Sequence, residues 1–266
     1  MTLRYSAAMR NAILKTGSIK HVMSNCVLKI YTGAQPSSAD AAPTGTLLCT
    51  YSSSSGALTR EVLSVGSLTL AGTSGTADTI NLTPPGPGTA IDILGGAVTS
   101  DGTVAGTATL CASAINNNPA NIYVTASTNG SDGVITLTGK PGTGAKAPHA
   151  WLVTGTGTTI SFGTLVNMAG GVTAVNGLKW GTAAAGVLSK LSTQTWSGVA
   201  AATGTAGWFR IEAAPTDSLA LDSTETYKRI DGAVSTSGAQ LNLSNLSIAV
   251  SATQTIDTFT ITENTV

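Results

Sequence analysis

The side chains able to do chemistry are few, and their spacing argues against most of the reactions they could serve. The two histidines are His21 and His149. Neither lies in an HExxH, His-x-His or Cys/His pattern, so no zinc centre is expected. Residues 139–146 read GKPGTGAK. A phosphate-binding loop needs adjoining Gly and Lys, then Ser or Thr, at the opening of a helix. Here Ala145 separates Gly144 from Lys146, Ala147 follows, and the next expected element is a strand. The stretch therefore reads as a Gly/Pro turn.

Serine is abundant, but no GxSxG elbow is present to present a nucleophile to a base. Asp92, Asp101, Asp132, Asp217, Asp222 and Asp231 are expected mostly at turns, where aspartate bonds its own backbone. A glycosidase pair among them has no signature beyond coexistence in one chain. Calcium loops of the DxDxDG type are missing. Cys26, Cys49 and Cys111 are odd in number and far apart, so each is read as a small buried hydrophobe and not as part of a disulfide framework. Asn81, Asn129, Asn242 and Asn245 open N-x-[ST] triplets, which arise by chance in so Ser/Thr-rich a chain. The expectation is a protein with no catalytic, cofactor-binding or metal-binding residues, and not an enzyme.

Composition points the same way. Hydrophobic residues make up 42% of the 266, enough for a real core. Charged residues make up only 10%, and the formal net charge is zero. A soluble monomer normally keeps a charged surface and a net charge away from zero. A deficit of this kind fits a surface covered by other subunits, since interface cores are depleted in charge. The alternative is a solvated Ser/Thr surface. Scattered, balanced Lys and Arg give no footprint for nucleic acid. Arg4 and Arg10 are not followed by an apolar run, so no signal peptide is expected, and no apolar stretch is long enough for a membrane helix.

The elements that would position these residues follow from periodicity. Residues 4–16 place Tyr5, Ala8, Met9, Ala12 and Ile13 at helical spacing, with Lys15 and Gly17 as a stop, and a second turn is expected at 19–23. That helix has two candidate docking surfaces, its own domain or a neighbouring subunit. Residues 27–31 and 46–51 read as strands. Residues 195–214, TWSGVAAATGTAGWFRIEAA, read as a hairpin carrying Trp196 and Trp208, the expected nucleus of the core. Asp231-Gly232 reads as a tight turn, and 255–262 as one alternating strand. The expected core residues are Tyr31, Trp180, Trp196, Trp208, Phe209, Ile211 and Phe259.

Between about residues 73 and 171 the texture changes to α+β. A hairpin is expected about Gly95-Gly96, a helix at 104–116, and paired strands at 123–126 and 134–137. The economical arrangement is an insertion: residues 1–72 and 172–266 form an antiparallel β-sandwich, jelly-roll-like, with an N-terminal helix, and residues 73–171 form a small inserted α+β domain.

Two stretches resemble virion proteins of tailed bacteriophages. One is LRYSAAMRNAILK followed by LKIYTGAQPSSADAAPTGTLL; the other is LKWGTAAAGVLSKLSTQTWSGVAAATGTAGWFRI followed by DGAVSTSGAQLNLSNLSIAVSATQTIDTFTIT. The middle, with AIDILGGAV, AGTATLCASAINN, YVTAS and GVITLTG, resembles small modules spliced into phage tail and fibre proteins. The resemblance implies a multicopy, non-enzymatic structural component of the virion, made in the host cytoplasm, in a capsid-decoration, collar, baseplate, tail or fibre position. Its partners would be other virion proteins and copies of itself, with no nucleic acid, no membrane and no cofactor. The alternative is a receptor- or glycan-binding adhesin module, with Tyr123 or Trp151 stacking on a sugar of the host surface.

Overall fold

The computed structural model describes residues 3–84, 88–140, 151–158, 160–213 and 217–262. The fold is mainly β, with several antiparallel sheets. It divides into two compact units: unit 1 is Met1–Arg60 with Ala174–Val266, and unit 2 is Glu61–Thr173.

The chain opens with β1 (Arg4–Tyr5), α1 (Ala7–Thr16), α2 (Ile19–Val22), β2 (Val27–Thr32) and β3 (Leu47–Ser53). Unit 2 then supplies β4 (Val65–Ala71), β5 (Thr76–Thr83), β6 (Ile91–Asp92), β7 (Val98–Thr99), α3 (Val104–Asn117), β8 (Val124–Ser127), β9 (Val134–Gly139), β10 (Leu152–Thr158) and β11 (Ser161–Ala169). Unit 1 resumes with β12 (Val187–Ser189), β13 (Trp196–Val199), β14 (Gly204–Glu212), β15 (Arg229–Ser235), β16 (Leu241–Asn242), β17 (Ser247–Ile248), β18 (Thr253–Ile256) and β19 (Thr260–Thr262).

Unit 1 is built on one sheet in the order β1-β15-β14-β2-β3-β13-β18, with β16 on β15 and β17 on β14; β12 and β19 pair separately. Alternation decides what each face carries. Leu28 and Ile30 of β2, Cys49 and Tyr51 of β3, Phe209 and Ile211 of β14 and Ile230 of β15 all join the apolar core. Trp180, Trp196 and Phe259 meet there, with Trp180 edge-on to Trp196 at 5.2 Å and Phe259 5.3 Å from Phe209. Helix α1 docks on this same unit. Its Met9 is fully buried in the core, and Ser6 caps it by accepting from the Met9 N–H at 3.1 Å.

Four sequence expectations change here. Trp196 and Trp208 do not share a hairpin: β13 pairs with β3 and β18, whereas β14 pairs with β2, β15 and β17. The four linking residues reach about 17 Å at most, and they cross three strand spacings, about 14 Å. None of residues 200–203 has positive φ, the conformation that a two-residue hairpin turn needs. Trp208 also faces away from the apolar core and stacks on Tyr31, with ring centroids 4.5 Å apart. Asp231-Gly232 is no turn but the centre of β15. The glycine is required because a Cβ there would lie 2.5 Å from the Phe209 ring directly opposite. Residues 255–262 break between β18 and β19, which turns both Ile256 and Phe259 inward.

Unit 2 has two four-stranded sheets, β10-β5-β6 with β7 on β5, and β11-β4-β9-β8. Strand β4, read in the sequence as part of the flanking body, belongs to this unit through its pairing with β9 and β11. The expected Gly95-Gly96 hairpin is replaced by separate pairing of β6 and β7 to β5. Helix α3 follows its sequence pattern: Ala108, Cys111, Ala112 and Ile115 face the core, and Thr103 caps the N-terminus. The β8–β9 pair also forms as its alternation predicts. The free edge of β8 is closed by two asparagines. Asn116 Nδ2 donates to the Ala126 carbonyl and its Oδ1 accepts from the Ala126 N–H; Asn121 does the same for Val124. Each amide takes the place of a further strand, which protects an exposed edge.

Candidate functional site

The second face of the unit 1 sheet carries what the sequence reading missed. Where β14 sends Phe209 and Ile211 into the core, it sends Trp208, Arg210 and Glu212 to the opposite side. Strand β15 adds Arg229 and Asp231, and β2 adds Lys29 and Tyr31. Register brings them into rows: Arg4, Asp231, Arg210 and Lys29 lie across four neighbouring strands, and Glu212 lies opposite Arg229. Arg210, Glu212, Arg229 and Asp231 have no solvent exposure.

Burial on this scale requires matched charges. Arg210 donates from Nε and Nη2 to the two Asp231 oxygens at 2.8 and 2.7 Å. Arg229 donates from Nε and Nη2 to Asp217 at 2.6 Å each. Glu212 Oε2 lies 2.8 Å from Lys29 Nζ and 3.6 Å from Arg60 Nη2. The first two pairs have the bidentate fork geometry that arginine favours. Arg210 also lies over the Trp208 ring at 5.5 Å, and Arg229 over Tyr227 at 5.2 Å.

The arginines hold down two loops. The loop between β2 and β3 gives its carbonyls to them: Ala39 O accepts from Arg210 Nη2 at 3.2 Å, and Asp40 O accepts from Arg229 Nη1 at 3.1 Å. Trp208 Nε1 donates to Thr44 O at 3.2 Å. The segment before β15 is tied by Arg229 Nη2 to Ala220 O at 2.9 Å and by the Asp222 N–H to Asp40 O at 2.8 Å. The Asp222 carboxylate in turn accepts from the Thr226 and Tyr227 N–H groups. Ser6 joins this network to α1, accepting from the Arg229 N–H at 3.0 Å and donating to the Tyr227 carbonyl at 2.8 Å.

The electrostatics follow the partners. Burial pulls the Asp217 carboxyl upward, but the hydrogen bonds from Arg229 and the Leu219 N–H outweigh it and leave the group below its ordinary range. Glu212 goes the other way: burial raises it, and Lys29 only partly offsets that. Among the described residues, Arg210 Nη1, Glu212 Oε1 and the Tyr31 hydroxyl have no hydrogen-bond partner. The arrangement anchors loops: the carboxylates of Asp217, Asp231 and Glu212 are engaged by cations, and that of Asp222 by backbone N–H groups and the Thr224 hydroxyl. Burial raises the three thiols, Cys26 to about 12 and Cys49 and Cys111 to about 11, which keeps them protonated.

The residues singled out from sequence fall as follows. Tyr31, Trp180, Trp196, Trp208, Phe209, Ile211 and Phe259 are all buried, though on two faces of the sheet and not in one cluster. Asp217 and Asp231 are ion-paired within the fold instead of sitting at open turns, whereas Asp101 and Asp132 do cap local backbone N–H groups. His21 is exposed on α2. His149 and residues 141–146 of the glycine-rich stretch lie outside the described residues. Trp151 is only 6% exposed and packs against Tyr123 at 5.1 Å, so it offers no open ring to a sugar. Among the described residues, no group of three or more His, Cys, Asp or Glu could hold a metal ion, and no helix is long and apolar enough to cross a membrane. No protein-family profile, curated protein or solved structure matches this chain.

Proposed function

We propose that this chain is a non-enzymatic structural subunit of a tailed-phage particle, assembled in multiple copies. The observation that carries the reading is a sheet face without charge. The outward side of β4, β9 and β8 bears Val65, Ser67 and Thr69, then Val134, Thr136 and Thr138, then Thr125 and Ser127, while the alternate residues face the core. A solvated monomer surface is normally sprinkled with Lys and Glu; a face covered by a neighbour is not. The occupant of that face is a neighbouring copy of the chain or another particle protein.

In this reading unit 1 is the attachment body, its nine-stranded sheet closing into a jelly-roll-like sandwich around the apolar core. The buried arginine network makes it rigid, and unit 2 is the insert it carries, which meets a neighbour through its uncharged face while its other surfaces are displayed. The phage assignment rests on the sequence resemblance, and with it the virion location, synthesis in the host cytoplasm and partnership with other virion proteins. Light scattering of the purified chain over a range of concentrations, with proteomics of purified particles, tests it. Concentration-dependent oligomers and peptides of this chain in particles are expected. A monomer at every concentration that is missing from particles would overturn the proposal.

A further inference from the structure

We infer that unit 1 carries a binding cleft for a small oxyanion-bearing ligand, a sugar-sized molecule with a carboxylate, sulfate or phosphate group. An open cleft of about 310 Å³ lies where β1, α1 and the β2–β3 loop meet, lined by Arg4, Tyr5, Arg10, Ser37 and Ser38. That volume is at the small end of ligand sites. The lining holds two guanidinium groups and no carboxylate.

The two arginines are differently prepared. Arg4 donates from Nη1 to the Pro36 carbonyl, which fixes its guanidinium at the cleft wall. It lies opposite Asp231 across the sheet, whose two oxygens accept from Arg210, and its own hydrogen bond goes to the loop carbonyl. Arg10 is exposed on α1 and has no ion-pair partner among the described residues. The nearest loop carboxylate, Asp40, is turned to other donors: Oδ1 accepts from the Ala7 N–H at 2.9 Å and Oδ2 from Ser38 Oγ at 3.2 Å. Two planar cations beside the Ser37 hydroxyl suit an oxyanion, which arginine grips with paired donors; Ser38 already gives its proton to Asp40. Tyr5, half-buried and packed against the apolar core, closes one side of the cleft.

The test uses calorimetric or NMR titration of the full chain with glucose, glucuronate, glucose 6-sulfate and glucose 6-phosphate. Binding of one or more charged sugars, none of glucose, and weakening at higher ionic strength are expected. Whichever charged sugar binds identifies the anion source. Arg10→Ala, at an exposed position, should weaken that binding about tenfold or more, the loss of roughly one charge-assisted contact, with the thermal midpoint unchanged. Ser37→Ala should weaken it less. Equal binding of glucose, no binding of any charged sugar, or binding indifferent to Arg10→Ala would overturn the inference. Oligomerisation of the chain is a separate measurement, so failure here leaves the assembly reading standing.

Discussion

Arg210 and Asp231 face each other across adjacent strands, joined by two hydrogen bonds of 2.8 and 2.7 Å, with neither side chain exposed to solvent. The pair sits on the side of the sheet opposite the aromatic core and turns a polar loop into part of the interior. Removing one partner leaves a buried charge uncompensated, whereas removing both does not. Asp231→Ala is expected to destabilise unit 1 by about 3–5 kcal/mol. The double replacement Arg210→Met with Asp231→Leu is expected to recover much of that loss. Urea unfolding of Arg210→Met, Asp231→Leu and the double variant, with Asp231→Ala alongside, measures the coupling.

Acid should weaken unit 1 through Asp217. Its folded-state pKa is depressed, so its contribution is present above the ordinary carboxylate value and is lost as pH falls through the depressed one. In the Asp217→Asn variant that contribution is missing at neutral pH, and the gap from wild type closes at the acid end. Unfolding midpoints followed from neutral pH downward check this.

Glu212 carries the opposite sign. Its folded-state pKa is raised by burial, so its contribution is present below the ordinary value and is lost as pH rises through the raised one. Glu212→Gln removes that penalty, and Lys29, with 14% of its side chain exposed, can turn to water. Relative to wild type the variant should therefore gain stability as pH rises from the ordinary carboxylate range through the raised value, read from the same unfolding series. A difference that stays flat across this range would contradict it.

In unit 2, Asn121 is 2% exposed; it donates to the Ile115 and Val124 carbonyls and accepts from the Val124 N–H. Asn121→Ala leaves buried backbone groups unpaired, which costs about 1–3 kcal/mol for each group left without a partner. Hydrogen exchange should show the Val124 amide losing protection first, ahead of the amides of β9.

Ser6 serves α1 and β15 at once. Ser6→Ala removes a helix cap and strands the Arg229 N–H, so a loss of about 1–3 kcal/mol is expected. Ser6→Thr, which keeps the hydroxyl, should restore part of it in thermal unfolding.

Local pattern was enough for the helices and for many strands. Alanine, methionine and cysteine at a spacing of three and four wrote the bodies of α1 and α3, and Gly17 the end of α1, because helix formation depends on near neighbours; the start of α1 differs, since Arg4 and Tyr5, expected in its first turn, pair with β15 as a strand. The small, uncharged residues of β4, β8 and β9 likewise declared their alternation. What stayed hidden was pairing between distant segments. A strand's period states that it has two faces, not which strand lies beside it, so β13 and β14 looked like a hairpin until β2 and β3 were found between them. Asp231-Gly232 carried the composition of a turn, yet its glycine makes room for Phe209 and its aspartate answers Arg210. Those partners are 23 and 21 residues away in the chain. The composition of this protein settled its β character, but only the sheet register decided which of its scarce charges would meet, because a buried ion pair forms where the backbone delivers both side chains to one face.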